Sequence, residues 1–266
     1  MKLNMLSRTF SHAKGSTYYK EPKKVKWDFK SKSNPLSVYI DSDFKRGFTN
    51  DGKKKFLWLL ESRKFGGNTQ TNILEHIDSV LDNYEQIWTH NQELLKINNK
   101  FKWVPAMGSW IYDSGIHKKT KKVSMITSNK TITEQQSFRV NFAKENKSNI
   151  DLYGQGFKPI KSKEEGLNEY MYSVAIENDT YDTYFTEKLL DCFMTGTIPI
   201  FKGSKKIVDF FDQKSIIFMD DEFDMDSLDE DLYYENLPSI RKNYELSLQY
   251  DILDDWIYDN YLKEYE

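Results

Sequence analysis

Apolar runs that stop abruptly at polar residues recur along the first half of the chain, and each predicts a short buried strand. These runs are SVYIDSD at 37–43, KKFLWLLES at 54–62, EQIWTHN at 85–91 and FKWVPAMG at 101–108. Between them, apolar residues at helical spacing from Ile73 to Leu81 predict a helix over 68–84, and a short helix is predicted around 91–97. Residues 1–35 are polar and basic and show no clear register.

The same alternation returns in the second half of the chain. The predicted strands are KVSMITSN at 122–129, IDLYGQG at 150–156, TIPIFKG at 197–203 and SIIFMD at 215–220, while LNEYMYSVAIEN at 167–178 predicts a short helix running into a strand. The predicted helices are Glu134–Asn146, TEKLLDCFMTG at 186–196, a turn at IVDFFD and most of 226–263, with Gly196 suited to the position past a helix end.

Alternating strands and helices indicate parallel sheets covered by helices. The polar, basic passage from Tyr112 to Lys122 is typical of a linker. We therefore predict an α/β protein of two Rossmann-like domains facing a cleft. The domains are residues 1–115 and 116–225, followed by a helical segment over 226–266. In such sheets ligands bind beyond the carboxyl ends of the strands, so polar motifs placed there are the candidates for function.

Composition excludes some function classes. The 266 residues carry a formal net charge of −3, so nothing global attracts nucleic acid or an anionic membrane. The single cysteine, Cys192, lies among apolar helical neighbours and is predicted to be an inert buried thiol. No apolar run reaches the ~18 residues that span a bilayer, and the N-terminus lacks the apolar core of a secretory signal. We therefore expect no membrane span and a cytoplasmic location.

The charged pair Glu187–Lys188 stands at the start of an otherwise apolar helix. Thr186 is suited to cap that helix. A glutamate in the first turn fits the helix dipole, but a lysine there does not. An anion in front of the helix makes the lysine favourable, because the ammonium and the backbone N–H groups then converge on it. The neighbouring carboxylate can accept hydrogen bonds from vicinal sugar hydroxyls, which predicts a nucleotide site.

Other strand ends offer further candidates. Ser128 and Asn129 follow the first strand of the second half, and the next helix carries Arg139, whose planar fork suits phosphate. A strand exit with a polar turn and a surface or ion-paired arginine are the plain alternatives. Glu61 ends a buried strand of the first half and could accept a proton as a general base, or it could pair with Arg63 or Lys64.

Residues 170–218 resemble the α-1,3-fucosyltransferases, glycosyltransferase family 10. The family pattern is matched at Glu177-Asn178, at Tyr184, at Thr186-Glu187-Lys188 and at Thr197-Ile198-Pro199-Ile200 with Gly203. Asp179 stands where the family often has serine. The resemblance extends more loosely from Val123 to about Asp220, and the first half is similar only in strand order and at Glu61.

This resemblance implies a GT-B transferase that uses GDP-fucose without an obligatory metal or other cofactor. By the resemblance, Arg139 and Lys188 bind the diphosphate, Glu187 holds the guanosine ribose, and Tyr184 lines the donor pocket. Glu177, Asn178 and Thr186 shape the same pocket, and Ser128 and Asn129 are expected to contact the donor. Glu61 resembles the general base. The implied reaction inverts the anomeric carbon as a hydroxyl of a glycan acceptor displaces GDP.

Three alternatives stay open from the residues themselves. The Tyr184–Lys188 motif fits phosphate and ribose, which every nucleotide sugar carries, so another donor is compatible with it. A non-catalytic nucleotide- or glycan-binding protein could keep the same pocket. The pairs Asp41/Asp43 and Asp224/Asp226 match a metal-binding pattern of some glycosyltransferases, although such pairs are common by chance in an acidic chain.

Overall fold

The computed structural model describes residues 1–7, 14–17, 20–30, 32–63 and 69–266. They form two compact units, of which the first comprises Met1–Gly108 with Ile252–Glu266 and the second Ser109–Asp251. The C-terminal residues 226–266, set apart above as one helical segment, are thus divided between the two units. Lys64 and the predicted helix start at residue 68 lie outside the described residues.

The first unit contains a six-stranded sheet in which every recorded strand pair is parallel. Its strands are β1 (Lys2–Leu6), β2 (Lys26–Asp28), β3 (Leu36–Ile40), β4 (Lys54–Leu59), β5 (Gln86–Thr89) and β6 (Phe101–Trp103), in the spatial order β2-β1-β3-β4-β5-β6. The pattern of apolar residues did not predict β1 and β2. Asn4 interrupts the apolar run of β1, yet it is fully buried because its amide donates to Asn34 O and Ser37 Oγ, each at 2.9 Å.

Three short helices lie along this part of the chain. They are α1 (Thr69–Glu75), α2 (Ile77–Asn83) and α3 (Gln92–Leu95), and a 3-10 helix, Asp41–Gly47, follows β3 directly. The single helix predicted over 68–84 is wrong in its continuity. It breaks at His76, whose backbone leaves the helical region at φ −121° and ψ 26°.

The second unit contains a five-stranded sheet whose recorded pairs are also all parallel. Its strands are β7 (Lys121–Ile126), β8 (Asp151–Tyr153), β9 (Tyr170–Ile176), β10 (Ile198–Lys202) and β11 (Ile217–Phe218), in the order β11-β10-β9-β7-β8. Every residue of β9 is buried, as expected for a strand covered on both faces. The predicted mixed α/β fold with parallel sheets is confirmed.

Four helices belong to the second unit, namely α4 (Glu134–Glu145), α5 (Glu187–Met194), α6 (Glu230–Glu235) and α7 (Leu237–Leu248). The helical turn predicted at the start of 167–178 lies earlier, as a 3-10 helix over Lys163–Gly166. Helix α5 ends as predicted at Gly196, whose φ of 65° favours glycine. The Gly196 N–H donates to Phe193 O at 3.1 Å and the Thr197 N–H to Cys192 O at 2.8 Å, which satisfies the last carbonyls of the helix.

The chain returns to the first unit through α8 (Leu253–Ile257), a π-helix at Tyr258–Leu262 and a 3-10 helix at Lys263–Tyr265. Leu253, Ile257 and Leu262 are fully buried in the core of that unit. Asp254 anchors this C-terminal segment to the rest of the first unit, since its buried carboxylate accepts from Ser16 Oγ at 2.7 Å and Trp27 Nε1 at 2.6 Å. No helix in the described ranges combines the length and apolar composition that a membrane crossing needs.

Candidate functional site

The strand order of the second sheet locates the candidate site. Numbered from β7, the order is 2-1-3-4-5, so the direction of winding reverses between β7 and β9. Ligands of such sheets bind at this switch point, beyond the carboxyl ends of the strands. Ser128 and Asn129 lie just past the end of β7, and Glu177 and Asn178 just past the end of β9. Four of the predicted residues therefore flank the expected position.

Hydrogen bonds of Thr186 connect Glu177, just past the end of β9, to the first turn of α5. Its hydroxyl caps the helix by accepting from the Lys188 N–H at 3.3 Å, and it also contacts both carboxylate oxygens of Glu177, at 3.0 and 2.8 Å. The Thr186 N–H donates to Glu177 as well, at 2.9 Å. Glu177 is fully buried, and this burial raises the pKa of its carboxyl although Lys188 acts in the opposite direction.

The pair Glu187–Lys188 opens α5, as the sequence predicts. The Lys188 ammonium lies 3.1 Å from Thr186 Oγ1, 3.2 Å from Glu187 Oε1 and 3.6 Å from Glu177 Oε2. Burial alone would raise the pKa of Glu187, but Lys188 and Lys163 outweigh it and lower that pKa to about 2. Glu187 is therefore ionised at any ordinary pH, and Lys188 is shared between two carboxylates.

Arg139 approaches the same place from α4. This helix begins with a reciprocal cap between Thr133 and Gln136, which fixes its first turn after the loop that follows β7. The Arg139 guanidinium donates to Ile176 O at 3.1 Å and to Asn178 Oδ1 at 3.2 Å. The side chain is buried, and its Nε has no hydrogen-bond partner among the described residues. A buried donor left unpaired is costly unless a ligand or water completes it.

Lys163 and Asp191 complete the charged group, and the sequence prediction missed both. Lys163 Nζ lies 2.6 Å from Asp191 Oδ2, 3.6 Å from Glu187 Oε1 and 4.4 Å from the centre of the Trp110 ring. Asp191 accepts in addition from Ser109 Oγ at 3.0 Å and the Trp110 N–H at 2.7 Å. An acidic residue inside the apolar run LLDCFM was the available signal, because buried acids are retained where they are paired.

A small cavity of about 30 Å³ lies among these groups. It is lined by Ile126, Arg139, Lys163, Leu167, Ser173, Val174, Ile176, Lys188, Asp191 and Cys192. Three cations from three separate segments thus border one space. The Cys192 thiol is buried as predicted, and burial raises its pKa to about 12, so it is inert as a nucleophile.

Other predicted residues lie apart from this cavity. Ser128 and Asn129 do not line it, and the Asn129 N–H is occupied by Gln155 O at 2.9 Å. Tyr184 is buried, with its ring 4.8 Å from that of Tyr181 and its N–H on Tyr181 O at 3.1 Å. These three residues do not line the cavity, and neither do Glu177, Asn178, Thr186 and Glu187, so Arg139 and Lys188 are the predicted residues that border it.

Glu61 belongs to the first unit, where it lies exposed just past the end of β4. Its backbone N–H donates to Asp41 Oδ1 at 3.3 Å, and the Leu60 N–H donates to the same atom at 2.9 Å. Asp41 follows β3 with a φ of 45°, an uncommon conformation for a residue other than glycine. Burial, with a smaller contribution from Glu61, raises the pKa of Asp41 to about 7.

The two-aspartate pattern at Asp41/Asp43 does not present two solvent-facing carboxylates. Asp43 is 2% exposed, and its carboxylate lies 3.3 Å from Arg46 Nη1. Asp41 is engaged with the backbone after β4, as described above. Arg63, one of the partners considered for Glu61, lies 3.8 Å from Glu93.

Several known proteins resemble this chain. The profile described as glycosyltransferase family 10 (fucosyltransferase) C-term matches residues 116–250, just over half of the chain and nearly all of the second unit. The α-(1,3)-fucosyltransferase FucT of Helicobacter pylori is 32% identical over 92 residues, which are 35% of this chain and 19% of that protein. The aligned part thus spans about a fifth of that relative.

Solved structures agree over a longer part of the chain. An α1,3-fucosyltransferase with GDP matches 100% of this chain and 88% of that one, with a TM-score of 0.56 and 13% identity. Another α1,3-fucosyltransferase structure covers 93% of this chain and 80% of that one, with a TM-score of 0.52 and 15% identity. Structural similarity at identities this low establishes the fold alone. This agreement in fold confirms the predicted GT-B class. Because the family profile covers more than half of its residues, the chain belongs to glycosyltransferase family 10.

Proposed function

We propose that this protein is an inverting glycosyltransferase that moves fucose from GDP-fucose to a hydroxyl group of a glycan acceptor, in the manner of an α-1,3-fucosyltransferase. The observation that carries the proposal is the convergence of Arg139 and Lys188 on one cavity at the switch point of the second sheet. A guanidinium, an ammonium and the N-terminus of α5 suit a diphosphate. The GDP-bound α1,3-fucosyltransferase of similar fold supports this choice of nucleotide.

Arg139 and Lys188 bind the diphosphate in this proposal. The unpaired Nε of Arg139 is a donor that is already buried. A phosphate oxygen that accepts from it would remove the unfavourable free energy of a buried, unpaired donor. The cavity of about 30 Å³ has room only for water, so a diphosphate requires that lining side chains, Lys188 among them, move. Both cations then stabilise the charge that develops on GDP as the glycosidic bond breaks.

The remaining residues orient the nucleotide. Glu187, held ionised by its cations, accepts hydrogen bonds from the two ribose hydroxyls. Glu177 holds Thr186 through three contacts and so fixes the first turn of α5, while Asn178 steadies the Arg139 fork. Tyr184, Ser128 and Asn129 border the nucleotide further out.

Glu61 is proposed as the general base of the reaction. An acceptor hydroxyl attacks the anomeric carbon from the face opposite GDP, its proton passes to the carboxylate, and the β-linked donor yields an α-linked product. Glu61→Gln should lower kcat by about 10²- to 10⁴-fold and leave the affinity for GDP unchanged. Glu75→Gln, at another exposed position of the same unit, is the matched control. A fall in GDP affinity equal to the loss of turnover would contradict this role.

The function itself is tested by incubating the protein with GDP-fucose and a set of glycan acceptors. We expect release of GDP together with a fucosylated product whose new linkage is α by NMR, at the same rate with and without EDTA. GDP-mannose and UDP-galactose should not be turned over. Turnover of another nucleotide sugar without GDP release from GDP-fucose would refute the donor, and GDP binding without turnover would identify a binding protein.

A further inference from the structure

Of the three cations that border the cavity, Lys163 is the one to which the proposed function assigns no role. It lies on the 3-10 helix Lys163–Gly166, whose start is capped reciprocally by Ser162 and Glu165. Its side chain is 17% exposed, and its ammonium lies 2.6 Å from Asp191 and 4.4 Å from the centre of the Trp110 ring. Asp191 is held in turn by Ser109 and the Trp110 backbone. Lys163 is thus firmly anchored by its surroundings.

Lys188 is held less firmly than Lys163. Its three contacts, at 3.1, 3.2 and 3.6 Å, are all longer than the 2.6 Å contact that anchors Lys163. A diphosphate would compete directly with two single carboxylates for this ammonium. Of the two cations that lie within 4 Å of Glu187 in the described part of the chain, Lys188 is therefore the one free to change partner.

The departure of Lys188 affects its two carboxylates differently. Glu177 keeps the hydroxyl and the N–H of Thr186, so it remains satisfied. Glu187 loses its nearer cation at the moment when a diphosphate brings further negative charge close to it. Lys163, 3.6 Å away, is then the counter-ion that remains. An uncompensated buried carboxylate is strongly unfavourable, so this second cation decides whether the exchange can occur.

We propose that Lys163 is a positioning residue of the donor site: it stays on Asp191 and neutralises Glu187 while Lys188 turns to the diphosphate. The inference rests on the proposed function, because it concerns the binding of GDP. Lys163 does not contact the phosphates in this arrangement, and its effect on the donor passes through Glu187.

A double-mutant cycle on GDP affinity, measured by calorimetry, tests this coupling. Lys163→Gln should weaken GDP binding by about tenfold or more in the wild-type background, since the lost partner is a charged group. In the Glu187→Gln background the same change should cost less than about threefold, because no charge remains there to neutralise. An equal loss in both backgrounds would show that the effect of Lys163 does not pass through Glu187, and would overturn the proposal.

Two further measurements separate this role from a purely structural one. Lys161→Gln, exposed two residues away, should leave GDP affinity unchanged. In Lys163→Gln, GDP binding at about pH 5 should take up more protons than in the wild type, seen as a dependence of the binding heat on the buffer, because Glu187 is left without a cation within 4 Å. The wild-type protein should show only the proton exchange of the terminal phosphate of GDP, whose second pKa is about 6.

A structure of the wild-type protein with GDP tests the proposal without any variant. Lys188 Nζ should lie on a phosphate oxygen while Lys163 Nζ stays within 4 Å of Asp191 and Glu187, as it is now. Lys163 on a phosphate oxygen would overturn the inference. Failure of the wild-type protein to bind GDP would instead refute the proposed function, so the two failures are distinguishable.

Discussion

The Lys119 ammonium donates to the carbonyl oxygen of Thr195 at 2.7 Å, just past the last turn of α5. It also donates to Asn168 O at 3.1 Å and Thr197 Oγ1 at 2.9 Å, and it is 5% exposed. Lys119→Met should lower the free energy of unfolding by about 2–5 kcal/mol, because several buried acceptors lose their donor. Denaturant unfolding measures the loss, and Lys118→Met, outside this buried set, should be neutral.

Thr186→Val should also destabilise the second unit. The change removes the cap of α5 and a donor to the buried Glu177, at a cost of about 1–3 kcal/mol. Thr186→Ser keeps the hydroxyl and should stay within about 1 kcal/mol of the wild type in the same denaturant experiment. A loss for serine with none for valine would mean that the methyl packing, and not the hydroxyl, holds this turn.

Arg139→Lys should weaken GDP binding although the charge is kept. An ammonium cannot reach Ile176 O and Asn178 Oδ1 while also presenting a third donor, so we expect a loss of about tenfold or more. Lys144→Met removes a charge from an exposed position of the same helix and should change the affinity little. Unchanged affinity for Arg139→Lys would place the diphosphate elsewhere.

Asp41 should make stability depend on pH. Its folded pKa of about 7 lies above the unfolded value, so between about pH 4 and pH 7 the folded protein holds a proton that the unfolded chain has released. This residue therefore lowers the free energy of unfolding as the pH rises through that range. Asp41→Asn keeps the acceptor for Leu60 and Glu61 and tolerates the positive φ.

The expected result is a variant that matches the wild type near pH 4 and is more stable at pH 8. Thermal unfolding across this range measures it, and Asp82→Asn, an exposed position, should leave the pH profile unaltered. Parallel profiles for Asp41→Asn and the wild type would show that Asp41 is ionised throughout.

Leu262→Ala should destabilise the first unit by about 2–5 kcal/mol, because it opens a cavity where a fully buried leucine packs. The neighbouring exposed Lys263 provides the control, since Lys263→Ala removes no core contact. Hydrogen exchange can locate the effect, which should appear in the amides of β1 and β2. A loss of protection confined to the last helical turns would mean that these turns do not stabilise the core of the first unit.

Much of the fold could be predicted because buried parallel strands are written as short apolar runs. All nine strands from β3 to β11 were predicted in this way, and Gly196 marked the end of α5. Strand β1 was not predicted because Asn4 breaks its apolar pattern. The burial of Asn4 depends on hydrogen-bond partners about thirty residues away. A pattern along the chain does not contain such a partner.

The candidate site likewise contains residues that the sequence could predict and residues that it could not. Glu187 and Lys188 could be predicted because a lysine beside the glutamate contradicts the local expectation for the first turn of a helix. Lys163 is one of several lysines in a polar passage, and nothing local distinguishes it from Lys161. Only the packing of the 3-10 helix against α5 makes it the partner of Asp191.

The first unit is discontinuous, since its core includes Leu253, Ile257 and Leu262 from the end of the chain. On the ribosome, residues 1–108 emerge long before those side chains exist, whereas Ser109–Asp251 is complete as soon as it has been made. Domains generally fold in the order of their synthesis. Here the order is reversed: all the residues of the second unit are made before the core of the first can be completed, because that core needs residues 252–266.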